Sequence, residues 1–343
     1  MAGTLNRQAV VLPVLPAAVD PLALSLNENP FPPLPAVQSA LIESIGVANR
    51  YPEFLPERLR GLIAAHIGVG ENQVVLGAGA TGVAMQVLHA VTDPGDRMVM
   101  TTPTFDGYPI FAQMARLVSV TVPMDPHGHH DLDALADAAS SARVVVLCRP
   151  HNPSGTLESA ADVERFLRRV PPATIVLLDE AYIEFAAPEH QLDGPALVRR
   201  FPNVVVLRTF SKAYGLAGLR IGYGFGAPEL IRRLWTMQLP FGMGITSLVA
   251  VAACYGAETQ LQQRIRQIRS ERNHLRMRLR AAGIYSTDAH ANFVYLPPAG
   301  RPWRQVFDVD DPSSPRVRHY ADGAVRITVG GRSSTRAVLA AIS

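Results

Sequence analysis

The stretch VVVLRTFSKAYGLAGLRIGYGF, residues 204–225, decides the fold. It opens with four uninterrupted β-branched or leucine residues, the pattern of a strand buried on both faces, and closes at 221–225 with a second apolar run. Between the two stand Ser211, Lys212, Gly215, Gly218 and Arg220, a polar group on permissive backbone just beyond a strand end. In open α/β sheets that is where ligands bind. Lys212 stands out for a second reason: it is the single lysine among 32 basic residues, the rest being arginine. Arginine replaces lysine on a solvated surface, but its guanidinium keeps its proton at working pH and cannot add to a carbonyl. Composition alone allows a surface lysine that survived by chance; the position beside a strand end points instead at its amine.

Outward from this stretch, apolar runs recur at 73–76, 97–101, 117–122, 144–148 and 174–178, which makes seven predicted strands. Helix-length stretches at 81–91, 106–115 and 158–170 alternate with them, so the fold class is α/β, a mostly parallel seven-stranded sheet covered on both faces. Beyond residue 245 the pattern becomes helical, with Leu261, Ile265, Ile268, Leu275 and Leu279 forming one apolar stripe and the seven arginines between 264 and 280 assigned to the other faces. That is a solvated amphipathic helix of a second domain rather than a nucleic-acid helix. Strand-like pieces at 292–296 and 325–329 make this domain α+β. The first 40 residues are proline-rich without a sheet-like run and read as an arm. The predicted division is 1–43 for the arm and part of the small domain, 44–245 for the large domain and 246–343 for the small one.

The 343 residues are 48% hydrophobic and 18% charged, with a formal net charge of +3, which suits a globular protein and excludes disordered and disulfide-scaffold classes. Cys148 and Cys254 fall in apolar runs and read as buried free thiols, and no basic leader or long apolar stretch is visible, so a cytoplasmic protein without membrane contact is expected. His127, His129 and His130 lie between Pro126 and Asp131 and read as a solvated loop, not a metal site.

Several strand ends carry candidate groups. Gly77-Ala78-Gly79-Ala80-Thr81-Gly82 matches G-x-G-x-x-G between a strand and a helix, a phosphate-binding arrangement. A nicotinamide oxidoreductase would also need an acidic residue at the end of the next strand, where this chain has Thr101-Thr102-Pro103, so phosphate binding is kept and the oxidoreductase reading demoted. Residues 174–178 run into Asp179-Glu180-Ala181-Tyr182, a carboxylate at a strand end or a helix N-cap. Cys148 is followed by Arg149-Pro150-His151-Asn152-Pro153-Ser154-Gly155, a turn presenting an amide. An aldehyde cofactor with a phosphate and a ring nitrogen would use the phosphate cradle, the amide, the carboxylate and the amine together.

In order along the chain, Asn27-Glu28-Asn29-Pro30, Arg50-Tyr51-Pro52, Asn152-Pro153-Ser154-Gly155, Asp179-Glu180-Ala181-Tyr182, Arg208-Thr209-Phe210-Ser211-Lys212 and Arg326-Ile327-Thr328-Val329-Gly330 resemble the fold-type-I pyridoxal-phosphate aminotransferases, specifically the histidinol-phosphate aminotransferase group and its aromatic-amino-acid relatives. The resemblance implies pyridoxal 5′-phosphate as cofactor, with Lys212 as its covalent anchor and proton shuttle and Asp179 as partner of the ring nitrogen. It implies that Asn152 and Tyr182 hold the ring hydroxyl and that Phe105 stacks on the ring. The phosphate would meet Ala80, Thr81, Ser211, Arg220 and Tyr51, the last from a partner subunit, which implies a homodimer with shared sites. Arg318 and Arg326 would bind the anionic head of the substrate. The activity implied is transfer of an amino group from an aromatic or bulky amino acid, or from histidinol phosphate, to a 2-oxo acid such as 2-oxoglutarate; a decarboxylase or lyase on the same fold is the alternative. Two departures bear on this. Residues 1–30 contain no aromatic residue where the group carries a phosphate-binding tyrosine, and Thr81 stands where an acidic residue is usual.

Overall fold

The computed structural model describes residues 15–298 and 300–342, so residues 1–14 of the predicted arm lie outside it. Its strands, in chain order, are β1 (Ala23–Leu24), β2 (Val74–Ala78), β3 (Arg97–Thr102), β4 (Val118–Pro123), β5 (Val144–Cys148), β6 (Ile175–Asp179), β7 (Val204–Thr209), β8 (Ile221–Gly226), β9 (Phe293–Leu296), β10 (Arg316–His319) and β11 (Val325–Thr328). Seven of them form one sheet in the order β2-β8-β7-β6-β5-β3-β4. All neighbours are parallel except β8, which runs antiparallel to both β2 and β7.

The central strands are buried on both faces, as their unbroken apolar runs require. Val145, Leu147, Val176 and Leu178 pack with Leu135, Val163 and Leu197 of the helices on one side. Val144, Val146, Cys148 and Leu177 pack with Val83, Leu88 and Leu230 on the other, so successive residues alternate between two layers. Helix starts on the first side are closed by side chains: Asp131 accepts from the Ala134 amide at 2.9 Å, Ser159 from Asp162 at 3.1 Å and Asp193 from Ala196 at 2.9 Å. The helix Gly79–Val91 differs, because Ala78 precedes it and no side chain caps its first amides.

A second sheet has the order β1-β10-β11-β9, with β1 parallel to β10 and the rest antiparallel. Two of its strands were not expected. β1 is only two residues long and lies in the arm, where no sheet-like run was read. It is too short to show a period of its own and is held by its neighbour, through the Arg316 amide donating to the Leu22 carbonyl at 2.8 Å and an Arg316–Asp20 ion pair. β10 alternates the exposed Arg316 and Arg318 with the buried Val317 and half-buried His319 and follows Pro315, which hides it among loop signals.

The long helix Glu258–Ala281 buries Leu261, Ile265, Ile268, Leu275 and Leu279 as expected. Arg272 is a correction. It sits in the seven-residue gap of the stripe, is buried, and donates to the carbonyls of Ala291 at 2.9 Å and Phe185 at 3.2 Å. Its side chain supplies donors to backbone acceptors that packing has cut off from water. The histidine loop is a second correction. His130 is buried, its Nδ1 2.5 Å from the Thr101 hydroxyl and its Nε2 2.9 Å from the Cys148 carbonyl, and His129 lies 3.6 Å from the buried Glu158. Among the described residues no group of three or more histidine, cysteine or acidic side chains is placed to hold a metal, and no helix is long and apolar enough to cross a membrane.

Candidate active site

Beyond the carboxyl ends of β5, β6 and β7 lies a cavity of about 240 Å³, lined among others by Phe105, Asn152, Asp179, Tyr182, Lys212 and Arg220. They come from four segments, Phe105 after β3, Asn152 after β5, Asp179 and Tyr182 at and after the end of β6, and Lys212 and Arg220 between β7 and β8, and the order of the sheet brings them to one rim. Lys212 lies three residues past β7, and its Nζ donates to the carbonyls of Leu26 at 3.0 Å and Asn27 at 3.3 Å. Burial, followed by the charge of Arg326 and, more weakly, Arg220, with Glu28 opposing, lowers the amine to about 8. A neutral fraction near physiological pH makes it a usable nucleophile and base.

Asp179 ends β6. Its Oδ1 accepts from the Ala181 amide at 3.0 Å and its Oδ2 from the Tyr108 hydroxyl at 2.6 Å, with Cys148 Sγ 3.8 Å away. It starts no α-helix and faces the cavity, against the N-cap alternative. Burial pushes its carboxyl up, and the Tyr108 and Ala181 hydrogen bonds pull the other way. Asn152, in the turn after β5, accepts from Arg326 Nη1 at 2.5 Å, and Arg326 also donates to the Ser25 carbonyl at 2.7 Å. Tyr182 accepts from Asn27 Nδ2 at 3.0 Å, and burial raises its phenol to about 12, so it stays protonated.

At the opposite end of the cavity, Arg220 Nη1 donates to Ser211 Oγ at 3.2 Å and Nη2 reaches Thr81 Oγ1 at 3.4 Å, all beside the uncapped start of the helix Gly79–Val91. Ala80 and Thr81 occupy its first turn. Glycine is required at 79: its φ is +73°, and a Cβ there would lie 2.4 Å from Arg220 Nη2. Helix-start amides without a side-chain cap, two hydroxyls and a guanidinium converging in this way are suited to hold an anion.

Three predicted residues, Tyr51, Arg318 and Arg326, do not line this cavity. Tyr51 is 82% exposed and packs on Phe241 at 4.8 Å between ring centroids. Arg318 is partly exposed and paired with Asp106 at 2.9 Å; with Arg326 it lines an adjoining cavity that also meets Leu26 and Val309. Two further residues escaped the sequence reading. Asn27, with a left-handed φ of 55°, ties Tyr182 to Thr328 and Asn292 of the second sheet region: its amide donates to Thr328 Oγ1 at 2.9 Å and its carbonyl accepts from Asn292 Nδ2 at 3.1 Å. Tyr108, in the helix Gly107–Met114, reaches Asp179 with its hydroxyl at 2.6 Å. The only signal for Asn27 was its place in the quoted Asn-Glu-Asn-Pro segment; for Tyr108 there was none.

Residues 19–341 match the family model for aminotransferase class I and II. The aromatic amino acid aminotransferase of Streptomyces avermitilis is 40% identical over 317 residues, covering 92% of this chain and 88% of that protein, and that of Cutibacterium acnes is 39% identical over 308 residues, covering 90% and 87%. The crystal structure of histidinol-phosphate aminotransferase from Sinorhizobium meliloti, in complex with pyridoxal-5′-phosphate, superposes with a TM-score of 0.86 at 28% identity, covering 94% of this chain and 89% of that one. L-threonine-O-3-phosphate decarboxylase from Porphyromonas gingivalis shares the fold, with a TM-score of 0.76 at 22% identity over 89% of this chain and 93% of that one. The chain belongs to the class I and II aminotransferase family. It has the type I fold of these enzymes and is an aminotransferase; the oxidoreductase reading of the glycine motif falls away.

Proposed function

We propose that this aminotransferase uses pyridoxal 5′-phosphate and takes aromatic amino acids as its preferred donors, with 2-oxoglutarate or a similar 2-oxo acid as acceptor. The observation that carries the reading is the lone lysine, half-buried with a lowered proton affinity in a cavity bounded by a carboxylate at one end and an uncapped helix start with Arg220, Ser211 and Thr81 at the other. The donor set fits the cofactor group by group: an amine for the aldehyde, Asp179 for the ring nitrogen, Asn152 and Tyr182 for the ring hydroxyl, Phe105 for the ring face and the anion site for the phosphate. When bound, the cofactor supplies the electron sink that lets an amino acid release its α-proton. Lys212 takes up that proton and returns it, Asp179 keeps the positive charge at the ring nitrogen, and Arg326 binds the substrate carboxylate by a guanidinium fork.

The donor preference draws on the relatives' names and on the adjoining cavity, where Leu26 at 66% and Val309 at 68% exposure offer apolar surface beside Arg318 and Arg326. The described part of the arm offers no aromatic hydroxyl for a substrate phosphate. A homodimer suits the exposed aromatic cluster of Tyr51, Phe54 and Phe241, with Tyr51 reaching the partner's cofactor phosphate. The two buried free thiols, Cys148 and Cys254, suit a reducing cytoplasm. The test is kcat/KM for phenylalanine, tyrosine, histidine and histidinol phosphate with 2-oxoglutarate. Aromatic donors should lead; a preference for histidinol phosphate above about a thousandfold, some 4 kcal/mol, would overturn the donor assignment.

A further inference from the structure

The carboxylate of Asp179 is held by a donor from another layer of the fold. Tyr108 lies in the first turn of the helix Gly107–Met114, and its amide donates to the Phe105 carbonyl at 3.0 Å. One turn of chain therefore presents Phe105 to the cavity and Tyr108 to Asp179. The Tyr108 ring is buried and packed edge-on between Phe105, at 5.8 Å, and Phe111, at 5.7 Å, so its hydroxyl has little freedom to leave Asp179 Oδ2, 2.6 Å away. Burial and the neighbouring carboxylate keep this phenol protonated, and hence a donor.

From this geometry we propose that Tyr108 is a positioning residue: its hydroxyl keeps the Asp179 carboxylate ionised and aimed into the cavity, and so governs how firmly the site holds a protonated ring nitrogen. The inference rests on the cofactor reading above. A carboxylate withdrawn from water stays charged only where hydrogen bonds replace its hydration. The titratable groups around Asp179 are Tyr108 from its helix, Cys148 from β5, Glu180 and Tyr182 from the segment after β6, and Lys212 from beyond β7. Of these, Tyr108 is the one within short hydrogen-bond distance among the described residues; Cys148 is a weak donor at 3.8 Å, and Glu180 repels. Without the phenol, the Ala181 amide would be the remaining strong donor to the carboxylate.

Tyr108→Phe removes the hydroxyl and keeps the ring packing. Charged hydrogen bonds of this kind correspond to roughly tenfold or more in affinity, so the variant apoprotein should bind pyridoxal 5′-phosphate about 10-fold more weakly in an absorbance titration. The acidic limb of its kcat profile should move to higher pH, because Asp179 would take up a proton more readily, while KM for the amino donor changes little. In an Asp179→Asn background the same change should move neither quantity further. Wild-type affinity and pH profile in Tyr108→Phe, or equal shifts with and without the Asp179 carboxylate, would overturn the proposal while leaving the cofactor reading intact. Failure of the wild-type protein to form a borohydride-reducible link to the cofactor at Lys212 would overturn both.

Discussion

At the scale of single residues, the proposed chemistry rests on one amine, and its surroundings explain why arginine would not stand in for it. Lys212 Nζ sits against two arm carbonyls, and burial with the Arg326 and Arg220 charges brings it to about 8 from the ordinary 10.5. The apoprotein's rate of forming a borohydride-reducible link to pyridoxal 5′-phosphate should therefore rise with pH and level off just above 8, which a stopped-flow absorbance series would follow. Lys212→Arg keeps the charge and loses the neutral amine. No reducible link should form, and kcat should fall at least about a thousandfold. Retention of the link would show that another group carries it.

At the scale of elements, the anion site depends on how closely β8 approaches the helix Gly79–Val91. A Cβ on Gly222 would lie 2.2 Å from the Gly79 carbonyl carbon and 2.3 Å from the Ala80 nitrogen, both backbone atoms that cannot swing aside. Gly222→Ala should push the helix start off the sheet, cost about 1–3 kcal/mol of stability and weaken cofactor binding at the same time. Urea unfolding and cofactor titration on the same variant check both. A variant of normal stability that still lost cofactor would place the damage at the anion site alone.

At the scale of the whole molecule, an acidic cluster of Glu180, Glu184 and Glu258, partly withdrawn from water, is expected to set a pH dependence of stability. Burial, with Glu180 and Glu258 adding to it and Arg208 opposing, raises the Glu184 carboxyl to about 7. The folded state thus binds this proton more tightly than the unfolded chain, whose carboxyl titrates near 4.5. The stabilisation is fully present below 4.5 and is lost as pH rises through 7. Glu184→Gln should match wild type near pH 4 and exceed it by on the order of 1–3 kcal/mol at pH 8, read from urea midpoints at the two pH values. The proposed dimer gives a second test at this scale. Mixing Lys212→Ala with Tyr51→Ala produces mixed dimers with one doubly damaged and one intact site, so random exchange should restore roughly a quarter of wild-type activity. No recovery, or a monomer by light scattering, would remove Tyr51 from the site.

What the sequence determined by itself was the sheet and the groups at its strand ends. Apolar runs report their own burial on both faces, and Asn152, Asp179 and Lys212 follow such runs by a few residues, so local pattern was enough to bring them to one rim. The tertiary structure alone decided which polar atoms meet. Tyr108 and Asp179 are 71 residues apart, and Asn27 and Thr328 are 301 apart; no periodicity within either segment reports on the other. β1 is too short to announce itself and β10 is hidden by its exposed arginines; β1 forms against β10, which pairs with β11 on its other side. His130 and Arg272 look solvated in a polar context, yet they are buried because distant hydroxyls and carbonyls arrive there needing partners. Burial of an apolar residue is written in its neighbours along the chain, whereas the partner of a buried polar group is fixed by the order in which strands and helices come together.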